Sequence, residues 1–146
     1  MNSVNSNKNG NFAPVSELHV MKKVFNEYKE WALVTGAASG MGRIYSRRLA
    51  LMGYNLIIVD INGKGLEDTE AEIMSDVMES DSVPVQYKDQ AKVLAIVQDL
   101  SRNDAADIIF SKTEEAGCEV EVLVNNAGVM YCQGIAETSE KMLKLI

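Results

Sequence analysis

The amino-acid sequence predicts an α/β protein with a doubly wound parallel sheet, in which helices cover both faces of the strands. Two observations support this fold class. Short apolar stretches alternate along the chain with longer stretches in which apolar residues recur at helical spacing. The stretch NLIIVD at residues 55–60 is also apolar on both faces, as the strands of a parallel sheet are. Strand, helix and strand repeated in this order imply right-handed crossovers between parallel strands.

The first predicted strand and helix occupy residues 31–35 and 41–52. The strand reads WALVT and is short and apolar, as a buried strand is. The helix is followed by Gly53, a residue type that commonly ends helices. The apolar face of this helix is predicted to consist of Tyr45, Leu49 and Met52.

The second strand is predicted at residues 55–60, where the chain reads NLIIVD. An acidic amphipathic helix then spans residues 63–80. Its apolar side is predicted to be formed by Leu66, Ile73 and Val77. The following stretch, residues 80–90, contains Pro84 and few helical signals, so we expect a loop or a small insertion there.

The third strand is predicted at residues 92–101, and a third helix at residues 103–116. Asp104 or Ser101 is positioned to cap this helix. The residues at helical offsets within it are Ala105, Ile108, Ile109, Lys112 and Ala116. The fourth strand and its exit cover residues 120–128, which read VEVLVNNAG.

The two ends of the chain give weaker patterns. Residues 1–15 are polar and rich in Asn and Ser, which predicts a disordered tail. Residues 16–30 predict a short helix on the outside of the domain, with partner binding as the alternative. Its apolar residues at helical spacing are Leu18, Met21, Phe25 and Tyr28. A last helix is predicted to begin near Thr138.

Composition excludes several function classes. The chain has 146 residues and a net charge of −7, and a net anion does not attract nucleic acid or an anionic membrane. No apolar run approaches the roughly 20 residues that span a bilayer. Cys118, Cys132 and His19 have no metal-like spacing. We therefore expect a cytoplasmic protein with no metal, nucleic acid or membrane as a partner.

A glycine-rich turn, TGAASGMGR, follows the first predicted strand and opens the first helix. A helix N-terminus offers free N–H groups and the positive end of its dipole to an anion. A diphosphate can lie there only if the backbone comes close, which glycine permits. We assign Gly36 to the tight turn, Gly40 to the approach of the phosphates, and Gly42 to the packing of the helix against the strand.

Asp60 ends the second strand, beside this turn in a parallel sheet. A carboxylate there can accept hydrogen bonds from the hydroxyls of an adenosine ribose, and it would repel a 2′-phosphate. Asp60 is followed by Ile61 and Asn62 rather than by an arginine, and Ser39 is not basic either. NAD is therefore favoured over NADP as the cofactor. The alternative for Asp60 is a plain strand-end cap.

Four motifs in order, TGAASGMG, Asp60, DLS and NNAG, resemble the short-chain dehydrogenase/reductase family, and the start of the chain's domain is similar to hydroxysteroid dehydrogenase-like members. The resemblance covers residues 30–146 and implies a Rossmann-type sheet, truncated after the fourth strand, within a partial dinucleotide-binding domain at residues 31–146. Met41 stands where isoleucine is commoner in the family. The resemblance implies pyrophosphate contacts from Gly36, Ser39, Gly40, Met41 and Gly42.

The later motifs receive roles by the same resemblance. The carboxylate of Asp99 would accept a hydrogen bond from the amino group of the adenine, and the backbone of Leu100 would lie beside the ring. The alternative role for Asp99 is to cap a helix. The NNAG motif would steady the central strand and border the nicotinamide ribose, with a simple turn as the alternative. Its residues are Asn125, Asn126, Ala127 and Gly128.

The family's reaction transfers hydride between a nicotinamide and an alcohol or carbonyl, and it uses a Tyr-x-x-x-Lys pair. No tyrosine in this sequence has a lysine four residues later. We therefore expect the cofactor-binding half of an oxidoreductase without its catalytic residues. Its fourth strand would be an unpaired edge, so we expect the fragment alone to be marginally stable, to self-associate, or to be part of a longer chain. The complete protein would act on a small alcohol or carbonyl as a homo-oligomer. The alternatives are a non-catalytic NAD-binding module and an inactive truncated fragment.

Overall fold

The sheet at the centre of the protein has four parallel strands in the order β3-β2-β1-β4. The structure is a computed structural model that describes residues 30–129. The strands are β1 (Trp31–Thr35), β2 (Asn55–Asp60), β3 (Val93–Val97) and β4 (Val120–Val124). The predicted doubly wound parallel sheet is confirmed, and β1 and β2 have the predicted bounds.

Four helices connect the strands: α1 (Gly40–Leu51), α2 (Gly63–Glu79), α3 (Val85–Lys88) and α4 (Ala105–Glu115). Helices α1 and α2 share one cluster of buried residues with the sheet, and α4 shares a second cluster with it. The inner strands β1 and β2 are therefore covered on both faces, as parallel strands are, whereas β3 and β4 are more exposed.

Strand β2 shows how the two halves of the core divide. Leu56 and Ile58 are buried in the cluster that contains α1 and α2. Ile57 and Val59 are buried in the cluster that contains Ile109 of α4. Successive side chains of a strand point to opposite faces, so one strand supplies both layers.

The buried face of α1 differs from the prediction. Tyr45 is 44% exposed and Met52 38% exposed, although both were assigned with Leu49 to the apolar face. The buried residues of α1 are Gly42, Ser46 and Ala50. Small side chains at intervals of four residues let this helix lie close to the layer beneath it. The prediction failed because it looked for large apolar side chains, whereas close packing selects small ones.

Helix α2 packs as predicted, with Leu66, Ile73 and Val77 buried. The segment at residues 80–90, predicted as a loop or a small insertion, contains the four-residue helix α3. Val83, just before α3, is 2% exposed and joins the core cluster of α1 and α2. Tyr87 of α3 and Ala91, just after the segment, pack against this cluster as well. Pro84 occupies the N-cap position of α3, where its missing N–H breaks no helical hydrogen bond.

Strand β3 ends at Val97, earlier than the predicted residue 101. The N–H of Gln98 still donates to the carbonyl oxygen of Asp60 at 2.9 Å, after which the chain turns. Helix α4 then begins at Ala105. Asp104 occupies its N-cap position without a side-chain cap bond, because its carboxylate pairs with Arg102 at 2.7 Å.

Helix α4 buries only part of its predicted face. The buried residues are Ala105, Ile109 and Thr113, whereas Lys112 and Ala116 are exposed.

Among residues 30–129, no strand pairs with β4 on the side away from β1. No helix in that same range is long and apolar enough to cross a membrane.

Several predictions concern segments outside the described residues. These are the tail at 1–15, the helix at 16–30 apart from Glu30, and the helix beginning near Thr138. His19 and Cys132 also lie outside.

Candidate functional site

The glycine loop (residues 36–40) joins the carboxyl end of β1 to the first turn of α1. Its two end residues have positive φ angles, +67° at Gly36 and +53° at Gly40. Residues that carry a Cβ rarely adopt positive φ angles, so the backbone conformation favours glycine at both positions. Because β1 lies between β2 and β4, the loop emerges from the middle of the sheet.

The surroundings of the three glycines differ. A Cβ on Gly42 would lie 2.2 Å from the carbonyl oxygen of Gly36, and a Cβ on Gly36 would lie 2.9 Å from the Cα of Ala127. A Cβ on Gly40 would meet nothing within 4 Å. The chain itself therefore requires glycine at 36 and 42, and at 40 there is open space in front of the backbone. Gly42 packs on the glycine loop rather than on the strand to which the sequence assigned it.

The first turn of α1 presents its N–H groups beside this open space. The first N–H groups of a helix have no partner within the helix. Ser39 stands at the N-cap position and its side chain makes no cap hydrogen bond. Ser39 and Gly40 are exposed, and Met41 is 66% exposed. The positive end of the helix dipole thus faces an accessible surface.

Asp60 lies beside the glycine loop at the end of β2, as predicted. Its Oδ2 atom accepts from the N–H of Ala38 at 3.0 Å, and its Oδ1 atom accepts from the N–H of Asn62 at 3.0 Å. The residue remains partly exposed. The carboxylate therefore holds two backbone segments together and keeps surface toward solvent.

Asp99 and Leu100 follow the end of β3. The Oδ1 atom of Asp99 accepts from the N–H of Ser101 at 2.9 Å, and its carbonyl oxygen accepts from the N–H of Arg102 at 3.3 Å. Asp99 thus closes a turn ahead of α4 and is not the residue at the cap of that helix. Leu100 is 37% exposed.

Thr35 and Asn126 connect the ends of β1 and β4. The hydroxyl of Thr35 accepts from the N–H groups of Asn126 and Ala127, each at 3.0 Å. The Nδ2 atom of Asn126 donates to the carbonyl oxygens of Thr35 at 3.0 Å and Gly36 at 3.4 Å. Asn126 therefore lies against the glycine loop, while Asn125, Ala127 and Gly128 are exposed beside it.

Helix α2 also contacts the glycine loop. Asn62 caps α2 by accepting from the N–H of Gly65 at 3.0 Å. The hydroxyl of Thr69 lies 2.9 Å from the carbonyl oxygen of Ala37. The guanidinium of Arg43 donates to the carbonyl oxygen of Ala38 and, at 2.9 Å, to the carboxylate of Glu72.

A charged network continues along the two helices away from the loop. Arg47 of α1 bonds to Asp76 at 2.6 Å and to Glu72 at 3.0 Å. The hydrogen bonds that Arg47 donates to Asp76 raise the pKa of Arg47, and the charges of Asp76 and Glu72 act in the same direction. On the opposite face of the sheet, burial raises the pKa of the Cys118 thiol. Neither group contacts the glycine loop.

The site residues at the ends of strands were predicted from the sequence, whereas the residues whose hydrogen bonds hold the glycine loop and the NNAG segment in place were not. Thr35, Arg43 and Thr69 received no role. Thr35 is a strand-end hydroxyl next to the glycine turn, which is a usable signal in retrospect. Arg43 and Thr69 lie on helices, and they come next to the glycine loop only when α2 packs onto it.

Among residues 30–129 no group of three or more His, Cys, Asp or Glu is arranged to hold a metal ion.

Comparison with known proteins finds a matching family model and relatives that are reductases or dehydrogenases. The family model described as short chain dehydrogenase matches residues 30–145. The very-long-chain 3-oxoacyl-CoA reductase of Pyrenophora tritici-repentis is 33% identical over 101 residues, which are 69% of this chain and 27% of that protein. The estradiol 17-beta-dehydrogenase 11 of Rattus norvegicus is 30% identical over 125 residues, covering 86% of this chain and 38% of that protein.

A solved structure shares the fold. The crystal structure of a metagenomic short-chain oxidoreductase in complex with NADP superposes with a TM-score of 0.65 at 25% identity. The match covers 82% of this chain and 48% of that chain. This chain therefore spans less than half the length of each of these three proteins.

Proposed function

The chain belongs to the short-chain dehydrogenase family, and from this premise we propose that it binds NAD with the diphosphate seated on the glycine loop. Members of the family are oxidoreductases that use NAD(P) and act on small molecules. We further propose that the whole protein transfers hydride between the nicotinamide and an alcohol or carbonyl, and that this chain supplies the cofactor-binding half.

The observation that carries the proposal is the open space at Gly40. The backbone on either side is fixed, since Gly36 and Gly42 are packed against Ala127 and against each other. Of the three glycines at this turn, Gly36, Gly40 and Gly42, only Gly40 has no atom within 4 Å of an added Cβ. A phosphate oxygen can therefore approach the main chain there, and the N–H groups and dipole of α1 favour an anion.

We propose that residues at the ends of the other strands make the remaining contacts with the cofactor. Asp60 would accept from the ribose hydroxyls of adenosine, and Asp99 with Leu100 would border the adenine. Asn126, Ala127 and Gly128 would border the nicotinamide ribose. The bound cofactor supplies the hydride chemistry, and these residues orient it against the carboxyl edge of the sheet.

Asp60 supports NAD over NADP. Its carboxylate lies next to the loop, and a 2′-phosphate placed there would meet a negative charge. Its neighbours Ile61 and Asn62 offer no cation. The related metagenomic oxidoreductase is in complex with NADP, so the proposed preference for NAD rests on the residues of this chain alone.

Titration of the purified chain with NADH, NADPH and ADP-ribose tests the proposal. We expect saturable NADH binding, a several-fold weaker affinity for NADPH, and competition by ADP-ribose, which carries the same diphosphate. Folded protein that binds none of the three would overturn the cofactor assignment. An NADPH affinity above that for NADH would overturn only the use of Asp60.

A non-catalytic NAD-binding module is the second candidate. It is favoured by one observation, the lack of any tyrosine followed four residues later by lysine in the 146-residue sequence. NADH binding without turnover of any alcohol or carbonyl by the natural gene product would support this candidate. A Tyr-x-x-x-Lys pair in a longer natural product would support the oxidoreductase. An inactive fragment would bind no dinucleotide at all.

A further inference from the structure

The two alanines inside the glycine loop have all four of their backbone polar groups engaged. Ala37 is 0% and Ala38 2% exposed. Their N–H groups donate to β2, Ala37 to the carbonyl oxygen of Val59 at 3.1 Å and Ala38 to Asp60 at 3.0 Å. Their carbonyl oxygens accept from two side chains, those of Thr69 and Arg43. Buried backbone groups need such partners, so these two side chains complete the loop.

Thr69 reaches the loop from the buried face of α2. Its hydroxyl lies 2.9 Å from the carbonyl oxygen of Ala37 and 2.9 Å from that of Gly65, one turn earlier in α2. A hydroxyl has one proton, so it is shared between the two acceptors. Thr69 is 0% exposed, and water therefore cannot replace it as the donor to Ala37.

Arg43 reaches the loop from α1. One guanidinium nitrogen donates to Ala38 and lies 3.4 Å from the carbonyl oxygen of Gly65. The other nitrogen donates to Glu72 at 2.9 Å. Glu72 thus fixes the orientation of the planar fork, because the guanidinium cannot turn away from Ala38 without losing that carboxylate.

Close approach of α2 makes both contacts possible. A Cβ on Gly65 would lie 2.7 Å from the Cβ of Ala38 and 3.0 Å from its carbonyl oxygen. Gly65 therefore allows the first turn of α2 to lie directly on the loop, which brings Thr69 within reach of Ala37. Helix α2 and the glycine loop pack as one unit.

We propose that Arg43 and Thr69 are positioning residues that hold the glycine loop in the shape that receives the dinucleotide diphosphate. This inference rests on the proposed function. The peptide groups of Ala37 and Ala38 lead directly into Ser39 and Gly40, so their orientation sets where the N–H groups at the start of α1 point. Neither side chain touches the ligand in this role, and each acts through a carbonyl oxygen of the loop.

Arginines 43 and 47 form a matched pair for the test. Both lie on α1 and both bond to Glu72, but only Arg43 also donates to the loop. We expect Arg43→Gln to weaken binding of NADH and of ADP-ribose by roughly five- to tenfold, as loss of a charged donor to a buried carbonyl does. Arg47→Gln is expected to leave both dissociation constants within about twofold of the parent, since it removes only partly exposed ion pairs, those with Glu72 and Asp76, that do not reach the loop.

Threonines 69 and 113 form a second pair. Each hydroxyl is buried on a helix and donates to a backbone carbonyl, but Thr113 bonds to Phe110 within α4, on the other face of the sheet. We expect Thr69→Val to weaken NADH binding several-fold and Thr69→Ser to restore it, while Thr113→Val lowers the free energy of unfolding without changing NADH affinity. Rescue by serine separates the lost hydroxyl from altered packing.

The outcomes distinguish a failure of the proposed cofactor binding from a failure of the positioning role of Arg43 and Thr69. A parent chain that binds neither NADH nor ADP-ribose would remove the proposed function and this proposal together. A parent chain that binds NADH, with Arg43→Gln no weaker than Arg47→Gln and Thr69→Val no weaker than Thr113→Val, would overturn the positioning role alone.

Discussion

At the scale of single residues, the carboxylate of Asp60 makes two backbone hydrogen bonds that recognition of a ribose alone does not require. It accepts from Ala38 in the glycine loop and from Asn62 at the start of α2. The same group is therefore proposed to choose between cofactors and to hold the loop that binds their shared diphosphate. Replacing it disturbs both functions at once.

Asp60→Ala is predicted to weaken NADH binding by at least about tenfold, because a charged acceptor worth roughly 1.5–3 kcal/mol per hydrogen bond is lost. NADPH affinity is predicted to fall less, since the repulsion of the 2′-phosphate disappears, but not to rise above the parent's NADH affinity. Fluorescence titration with both cofactors measures this. Asp89→Ala, an exposed carboxylate ahead of the amino end of β3, is the control. A clean switch to NADPH would show that Asp60 has no part in shaping the loop.

Sequence reasoning reached the residues at strand ends because their positions follow from topology. In a parallel sheet, the residue that ends β2 must lie near the turn that follows β1, so Asp60 was predictable without coordinates. The donors that complete the loop were not. Arg43 and Thr69 are separated from their acceptors by the packing of α2, and no local pattern encodes that contact.

At the scale of elements, α1 is defined by its small residues. Gly42, Ser46 and Ala50 are buried, and the hydroxyl of Ser46 donates to the carbonyl oxygen of Gly42 at 2.9 Å. Helix α2 follows the opposite rule and buries large side chains such as Leu66 and Ile73. Apolar periodicity thus predicted the face of α2 correctly and that of α1 wrongly, because the buried residues of α1 are small and form no stripe of large apolar side chains.

Gly42→Ala is predicted to lower the free energy of unfolding by about 1–3 kcal/mol or more, as overpacking does. The added Cβ would lie 2.2 Å from the carbonyl oxygen of Gly36 and 2.7 Å from Nδ2 of Asn126. Tyr45→Ala, on the exposed side of the same helix, is predicted to change stability by no more than about 0.5 kcal/mol. Urea denaturation followed by circular dichroism measures both. A larger loss for Tyr45→Ala would restore the sequence-based assignment of the face.

At the scale of the whole molecule, the described residues form a four-stranded sheet in which β1 and β2 are the inner strands and β3 and β4 are the two edges. Strand β1 is paired on both sides, by β2 and β4, and the glycine loop leaves the sheet there. Crossovers leave β1 toward β2 and return to it through β4, so the strand order reverses at β1. Ligands of open parallel sheets bind at such a reversal point, which supports the proposed position of the diphosphate.

The measurement that tests this position most directly compares two glycines in different parts of the molecule. Gly40 and Gly117 both have positive φ angles, +53° and +65°, and a Cβ on either would meet nothing within 4 Å. Alanine at each position therefore adds similar backbone strain, about 1–2 kcal/mol. Gly117 follows α4 on the opposite layer from α1.

Calorimetric titration of NADH into Gly40→Ala and Gly117→Ala, with the parent chain alongside, separates strain from occupation of the site. If the diphosphate lies over Gly40, Gly117→Ala binds NADH as the parent does, and Gly40→Ala loses at least about tenfold in affinity, a difference of roughly 1.4 kcal/mol. Equal NADH affinities for the two variants and the parent would contradict binding of the diphosphate at the glycine loop.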